Sequence, residues 1–112
     1  MTSTASAASI RRDVAELIRP PRRIQPSEAA AEAMKVVSGD GTVRDWSADT
    51  TPYMREPLDC MGSRLYDAVI FVGPARTGKT NALVDGYVAY KIECDPGDGL
   101  IVQISEEKAR EF

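Results

Sequence analysis

The 112-residue sequence predicts an α/β fold: a parallel sheet, incomplete in extent, with helices packed on it and an N-terminal arm that is helical or disordered. Three observations predict it. "DAVIFVG", residues 67–73, is a continuous apolar run rich in β-branched and aromatic residues, the pattern of a strand buried on both faces. "KTNALVDGYVAYKIE" follows with Leu83, Gly86, Tyr87 and Tyr90 at helical spacing, and "LIVQI", residues 100–104, supplies a second short strand after the "DPGDG" turn. Strand, helix, strand with a tight return is a βαβ unit, which requires parallel strands and a right-handed crossover.

Taken in order, the first ten residues, MTSTASAASI, are small and hydroxylated and predict a disordered tail. Asp13 and Glu16 argue against a transit peptide, and no apolar run serves as a secretory signal. "RRDVAELIRPP" offers a short helix that Pro20 and Pro21 end. Arg11, Arg12, Arg19, Arg22 and Arg23 make this a basic arm, read as solvated or as a contact for nucleic acid or a partner. In "QPSEAAAEAMKVV", Pro26 and Ser27 open a helix with Glu28 in its first turn. "SGDGTVRDW" carries an Asp-Gly turn and a short strand reaching Trp46, "SADTTP" is a loop, and "REPLDCMGS" reads as a helix with Pro57 in its first turn. At the end, "SEEKAREF" gives Ser105 as N-cap with Glu106 and Glu107 in the first helical turn. The chain therefore divides into an arm, 1–25, and an incomplete domain, 26–112.

Composition excludes several functions. A net charge of -3 leaves no overall basic footprint for direct nucleic-acid binding. With no histidine and only two cysteines, Cys60 and Cys94, far from C-x-x-C spacing, a zinc site is excluded, and the cysteines read as reduced, half-buried thiols. Nothing approaches the roughly 18 consecutive apolar residues of a membrane span.

Between strand and helix lies "GPARTGKT". Gly73, Gly78, Lys79 and Thr80 match G-x-x-x-x-G-K-[ST], the phosphate loop of P-loop NTPases, and Pro74, Ala75, Arg76 and Thr77 fill the intervening positions. The chemistry needs these residue types. Glycines let the backbone turn sharply and approach phosphate oxygens, and the N–H groups of Arg76 to Lys79 then form an anion nest at a helix N-terminus. Lys79 is placed for the β- and γ-phosphates of ATP, and the Thr80 hydroxyl for Mg²⁺. Arg76 has two readings: a catalytic finger supplied in cis to the γ-phosphate, or a solvent-facing side chain. Tyr53 also has two: an aromatic stacked beside the adenine, or a half-buried packing residue.

The succession "PPRRI", Trp46, "TPYMREPLD", "VIFVGPARTGKT" and "GYVAYKIECDPGDGLIVQISEEKAREF" resembles the N-terminal ATPase region of the large terminase subunit of lambda-type tailed phages, the GpA family. The resemblance runs from about Pro20 to the last residue and is most specific between Tyr53 and Pro96. It implies a motor that hydrolyses ATP to move double-stranded DNA into a capsid in a bacterial host's cytoplasm. It also implies a small terminase subunit and a portal as partners, and a C-terminal nuclease elsewhere in the full-length family. Gly73, Gly78, Lys79 and Thr80 correspond to the family's phosphate loop, Arg76 to its in-loop arginine and Tyr53 to its adenine-site aromatic. Met54 stands where related motors often carry a glutamine that reads the base, which leaves base selectivity at that position open.

An ATPase of this class also needs four apolar residues followed by Asp-Glu, to complete the Mg²⁺ shell and position water. Gln103 and Ser105 occupy that place in "LIVQISEE"; Glu106 can imitate the acidic pair, but the run fits better as the next strand. The expectation is a truncated portion of a terminase that holds nucleotide, is inactive alone, and is marginally stable because its strand edges lack partners. The alternatives are a piece of another P-loop motor, or a non-catalytic remnant acting as an interaction module.

Overall fold

The computed structural model describes residues 4–110, a small mixed α/β chain. Its elements are α1 (Ala7–Leu17), α2 (Pro26–Ala33), β1 (Lys35–Val37), β2 (Val43–Asp45), α3 (Arg55–Met61), α4 (Gly86–Glu93) and α5 (Glu106–Arg110). A 3-10 turn over Pro52–Met54 leads into α3, and a π-helical stretch over Thr80–Asp85 leads into α4.

Local chemistry accounts for most of these boundaries. Helix α1 begins at Ala7, inside the stretch expected to be a disordered tail, because the Ser6 side chain accepts from the Ser9 N–H at 3.2 Å and caps the helix. Residues 1–3 of that tail lie outside the described residues. Helix α2 has Pro26 at its start, and the Gln25 N–H donates to the Glu28 carboxylate at 3.2 Å. It stops at Met34, where the β-branched pair Val36 and Val37 turns the chain into β1 instead of extending the helix. The Asp-Gly turn then returns the chain as β2. The hairpin is antiparallel, with Lys35 opposite Asp45, Val36 opposite Arg44 and Val37 opposite Val43. Beyond the ladder, the Trp46 N–H donates to the Met34 carbonyl at 3.0 Å and carries the indole into the core.

That core is small and lies between α2, α3 and the helix after the phosphate loop. Ala30, Trp46, Ala48, Met54, Leu58 and Ala82 are buried together, with Met34, Val36, Phe71, Leu83 and Tyr87 packed against them. Close approach of the helices depends on Gly86, where a Cβ would stand 3.3 Å from Leu58 Cδ2 and 3.4 Å from Ala30 Cβ. Helix α3 is also pinned to the start of α2. The Asp59 carboxylate accepts from the Ser27 N–H at 2.9 Å and from its hydroxyl at 3.0 Å, satisfying helix-terminal groups from another element.

The expected parallel sheet is not formed. Residues 68–73 and 100–104 carry no strand, and among the described residues no backbone hydrogen bond joins them. Ile70 is 88% exposed, Val72 91%, Leu100 88% and Ile104 96%. The physical reason is that a strand is stabilised by neighbours on either side, and an apolar run announces a taste for two-sided burial without supplying the partner. The two strands that do form, β1 and β2, are antiparallel and local. What the described residues show is a helical core with one antiparallel hairpin, without the βαβ pairing.

No residue of α1 is buried, but Arg22 is tied down: its guanidinium holds the Glu32 carboxylate of α2 at 2.7 Å, which raises the Arg22 pKa. Cys94 is fully buried, whereas Cys60 is half-buried as expected; both are free thiols. The α5 cap is as expected, Ser105 Oγ accepting from the Lys108 N–H at 3.3 Å. Its two last expected residues, 111 and 112, lie outside the described residues. No described helix is long and apolar enough to cross a membrane.

Candidate functional site: the phosphate loop

Residues 73–80 leave the irregular 68–73 segment and run into the helical stretch that starts at Thr80. Backbone signs alternate along the loop. Arg76 has φ +60° and Gly78 φ +79°, Thr77 between them is not in the positive region, and Lys79 is helical at φ -54°, ψ -50°. Alternation of this kind turns successive N–H groups toward a common centre and makes an anion-binding concavity. Gly78 adopts its φ without a side-chain clash, whereas Arg76 is a non-glycine residue held in the left-handed region, a local strain that costs about 1–3 kcal/mol.

The loop is closed by its own side chains. The Thr77 hydroxyl donates to the Pro74 carbonyl at 2.9 Å. The Lys79 ammonium donates to the Gly73 carbonyl at 3.0 Å and to the Pro74 carbonyl, and lies 3.5 Å from Thr77 Oγ1. Its positive charge therefore sits over the mouth of the loop, on neutral carbonyl oxygens that an anionic oxygen can outcompete. Residues 73–80 thus fit a phosphate group: a nest, a lysine whose ligands are exchangeable, and the exposed Thr80 at the helix start. Among the described residues no group of three or more His, Cys, Asp or Glu is placed to hold a metal ion.

Tyr53 reaches the same place. It stands in the 3-10 turn, and its hydroxyl donates to the Thr77 carbonyl at 3.1 Å across 24 residues of sequence. Tyr53 is 53% exposed, so part of it lies against the loop and the rest is open to solvent. Thr51 lies on the same side, with Cγ2 3.8 Å from where a Gly78 Cβ would be. The structure thus brings Tyr53 to Gly73–Lys79 but gives Arg76 and Thr80 no side-chain partner among the described residues; Arg76 faces solvent. Sequence reasoning missed the contacts made by the Tyr53 and Thr77 hydroxyls. Neither motif nor spacing carries a signal for them, because both depend on how the loop closes.

The helix behind the loop is irregular in a way that periodicity hides. Over Thr80–Asp85 the hydrogen bonding is π-type, the Gly86 N–H returning to the Asn81 carbonyl. The extra residue brings Ala82 into the core while Leu83 and Tyr87 still pack against it. Asp85, at the end of this stretch, is partly desolvated, which raises its carboxyl pKa above the usual aspartate value. Further along, Lys91 holds Asp95 at 2.9 Å, raising the lysine pKa and lowering that of the aspartate.

No curated protein and no solved structure matches the chain. Residues 41–112 match the family model described as phage terminase large subunit gpA, ATPase domain, a span that starts within the hairpin turn and takes in Tyr53 and the whole phosphate loop. The match leaves out the PPRRI segment but covers well over half of the sequence, and it coincides with the elements that build the site: the chain belongs to the ATPase-domain family of the phage terminase large subunit gpA.

Proposed function

We propose that this chain is the ATP-binding portion of a terminase large subunit, the motor that packages viral DNA into capsids. The observation that carries the proposal is the phosphate loop itself, with alternating φ at Arg76, Thr77, Gly78 and Lys79 and a lysine resting on displaceable carbonyls. Bound Mg-ATP supplies the phosphoanhydride bond whose hydrolysis drives such motors. The chain's part is to hold it. The N–H groups of 76–79 donate to the phosphate oxygens, Lys79 exchanges the Gly73 and Pro74 carbonyls for β- and γ-oxygens, and the Thr80 hydroxyl contributes a Mg²⁺ ligand. Arg76, strained and unpaired, is positioned to swing onto the γ-phosphate as a finger in cis.

The exposed ring of Tyr53 offers the base a stacking face. Under this proposal residues 68–72 and 100–104 are strands of a parallel sheet that pair in the assembled motor domain, which accounts for the exposure of Ile70, Val72, Leu100 and Ile104 here. The arm, 1–25, is then a separate unit from the ATPase part, 26–112. Double-stranded DNA, a small terminase subunit and a portal are partners of the whole motor in the host cytoplasm, while this chain alone holds ATP without turning it over.

Calorimetric titration of the full chain with Mg-ATP tests the proposal. Binding in the wild type and a loss of at least tenfold in Lys79→Ala are expected. Equal affinity in the two proteins, or no binding in either, overturns it.

A further inference from the structure

The Thr77 carbonyl and the Gly78 N–H belong to one planar trans peptide, so whatever fixes the carbonyl also fixes the direction of the N–H, on the opposite side. That carbonyl accepts the Tyr53 hydroxyl at 3.1 Å. Tyr53 is itself held firmly. Its neighbour Met54 is fully buried, and the Met54 N–H closes the turn on the Thr51 carbonyl at 2.9 Å. Behind the loop, Ala82 is buried and the Ala82 N–H donates to the Gly78 carbonyl at 2.9 Å, so Gly78 is anchored from the helix side as well. On the other side, the segment leading into the loop has no sheet to hold it. Orientation of the peptide in front of Gly78 therefore falls to the tie from the 3-10 turn.

We infer that Tyr53 is a positioning residue for the phosphate loop: its hydroxyl, by holding the Thr77 carbonyl, aims the Gly78 N–H away from Tyr53 and into the nest. The inference rests on the proposal that residues 73–80 bind phosphate, and it gives Tyr53 a role separable from any contact of its ring with a base. A base-free anion separates the two. The ring has nothing to stack on in tripolyphosphate, whereas the hydroxyl still orients the loop that receives it.

The test is calorimetry of the full chain, wild type, Tyr53→Phe and Tyr53→Leu, with Mg-tripolyphosphate and with Mg-ATP, alongside ligand-free melting and the amide resonance of Gly78. Tyr53→Phe keeps the ring and loses one hydrogen bond. Expected is a weakening of about fivefold for both ligands, an unchanged melting temperature, and a shifted Gly78 amide resonance in the free protein. Tyr53→Leu is expected to match Tyr53→Phe on tripolyphosphate and to lose further affinity for ATP alone. If Tyr53→Phe binds tripolyphosphate like the wild type while Lys79→Ala abolishes binding, the positioning role is overturned and the phosphate site stands. A wild type that binds neither ligand overturns both.

Discussion

The core built by α2, α3, α4 and Trp46 differs from the segments at 68–73 and 100–104 in that its apolar residues have packing partners, whereas in those segments Phe71 touches the core and Ile70, Val72, Leu100 and Ile104 stay exposed. Met54 and Leu58 are completely buried, whereas Ile70 and Ile104, equally apolar, are almost completely exposed. Hydrophobicity alone thus does not decide burial in this chain; the availability of a packing surface does. The same contrast shows in overall dimensions. A radius of gyration of 18.3 Å exceeds the about 13 Å of a compact chain of this length, because α1, α5 and the unpaired runs lie off the core.

The sharpest way to break this comparison is to truncate one apolar side chain in each region. Leu58→Ala is expected to cost about 2–5 kcal/mol in denaturant unfolding, and Ile104→Ala no more than about 0.5 kcal/mol. Comparable losses would mean that residues 100–104 are packed in solution. Next in size is the tie between α3 and α2. Asp59→Ala removes the acceptor for Ser27 and should cost about 1–2 kcal/mol in the same assay. Asp49→Ala, which breaks the exposed 3.1 Å pair with Arg55, should fall between 0 and about 0.5 kcal/mol.

The smallest effects are pH-dependent and of opposite sign. Asp95, paired with Lys91, has a lowered pKa, so its contribution is present above the unfolded aspartate value of about 3.9 and fades as pH falls through the folded one. Asp85, desolvated, has a raised pKa, so its contribution is present below about 3.9 and fades as pH rises through the folded value. Thermal melts should therefore show Asp95→Asn lowering stability at neutral pH but not at pH 3, and Asp85→Asn raising it at neutral pH but not at pH 3.

What the sequence made legible follows the same division. Helices α2 and α3, the Ser105 cap and the phosphate loop are written in local chemistry: a proline at a helix start, a hydroxyl before two acids, glycines around a lysine. The Ser6 cap of α1 is equally local and was readable, but the string of small residues around it suggested disorder. Strand β1 is hidden because Lys35, Val36 and Val37 directly follow a run of helix formers, and pairing with Val43–Asp45 makes them a strand. Residues 68–73 and 100–104 read as strands but carry none here for the converse reason, since a lone strand lacks the ladder that defines it. At the candidate site, spacing points to Gly73, Lys79 and Thr80, whereas the Tyr53 hydroxyl on Thr77 is a contact between distant segments that spacing does not encode.

The central claim is that the proposed phosphate loop sits on a packed core while the apolar runs at 68–73 and 100–104 are unpaired. Amide hydrogen exchange of the full chain, with and without Mg-ATP, measures both halves at once. Without ligand, α2, α3 and α4 should be protected and residues 68–73 should exchange at near-solvent rates. On adding Mg-ATP, protection should rise at residues 76–80. Strong protection of 68–73 in the free chain, or exchange at 76–80 that nucleotide leaves unchanged, would contradict the account.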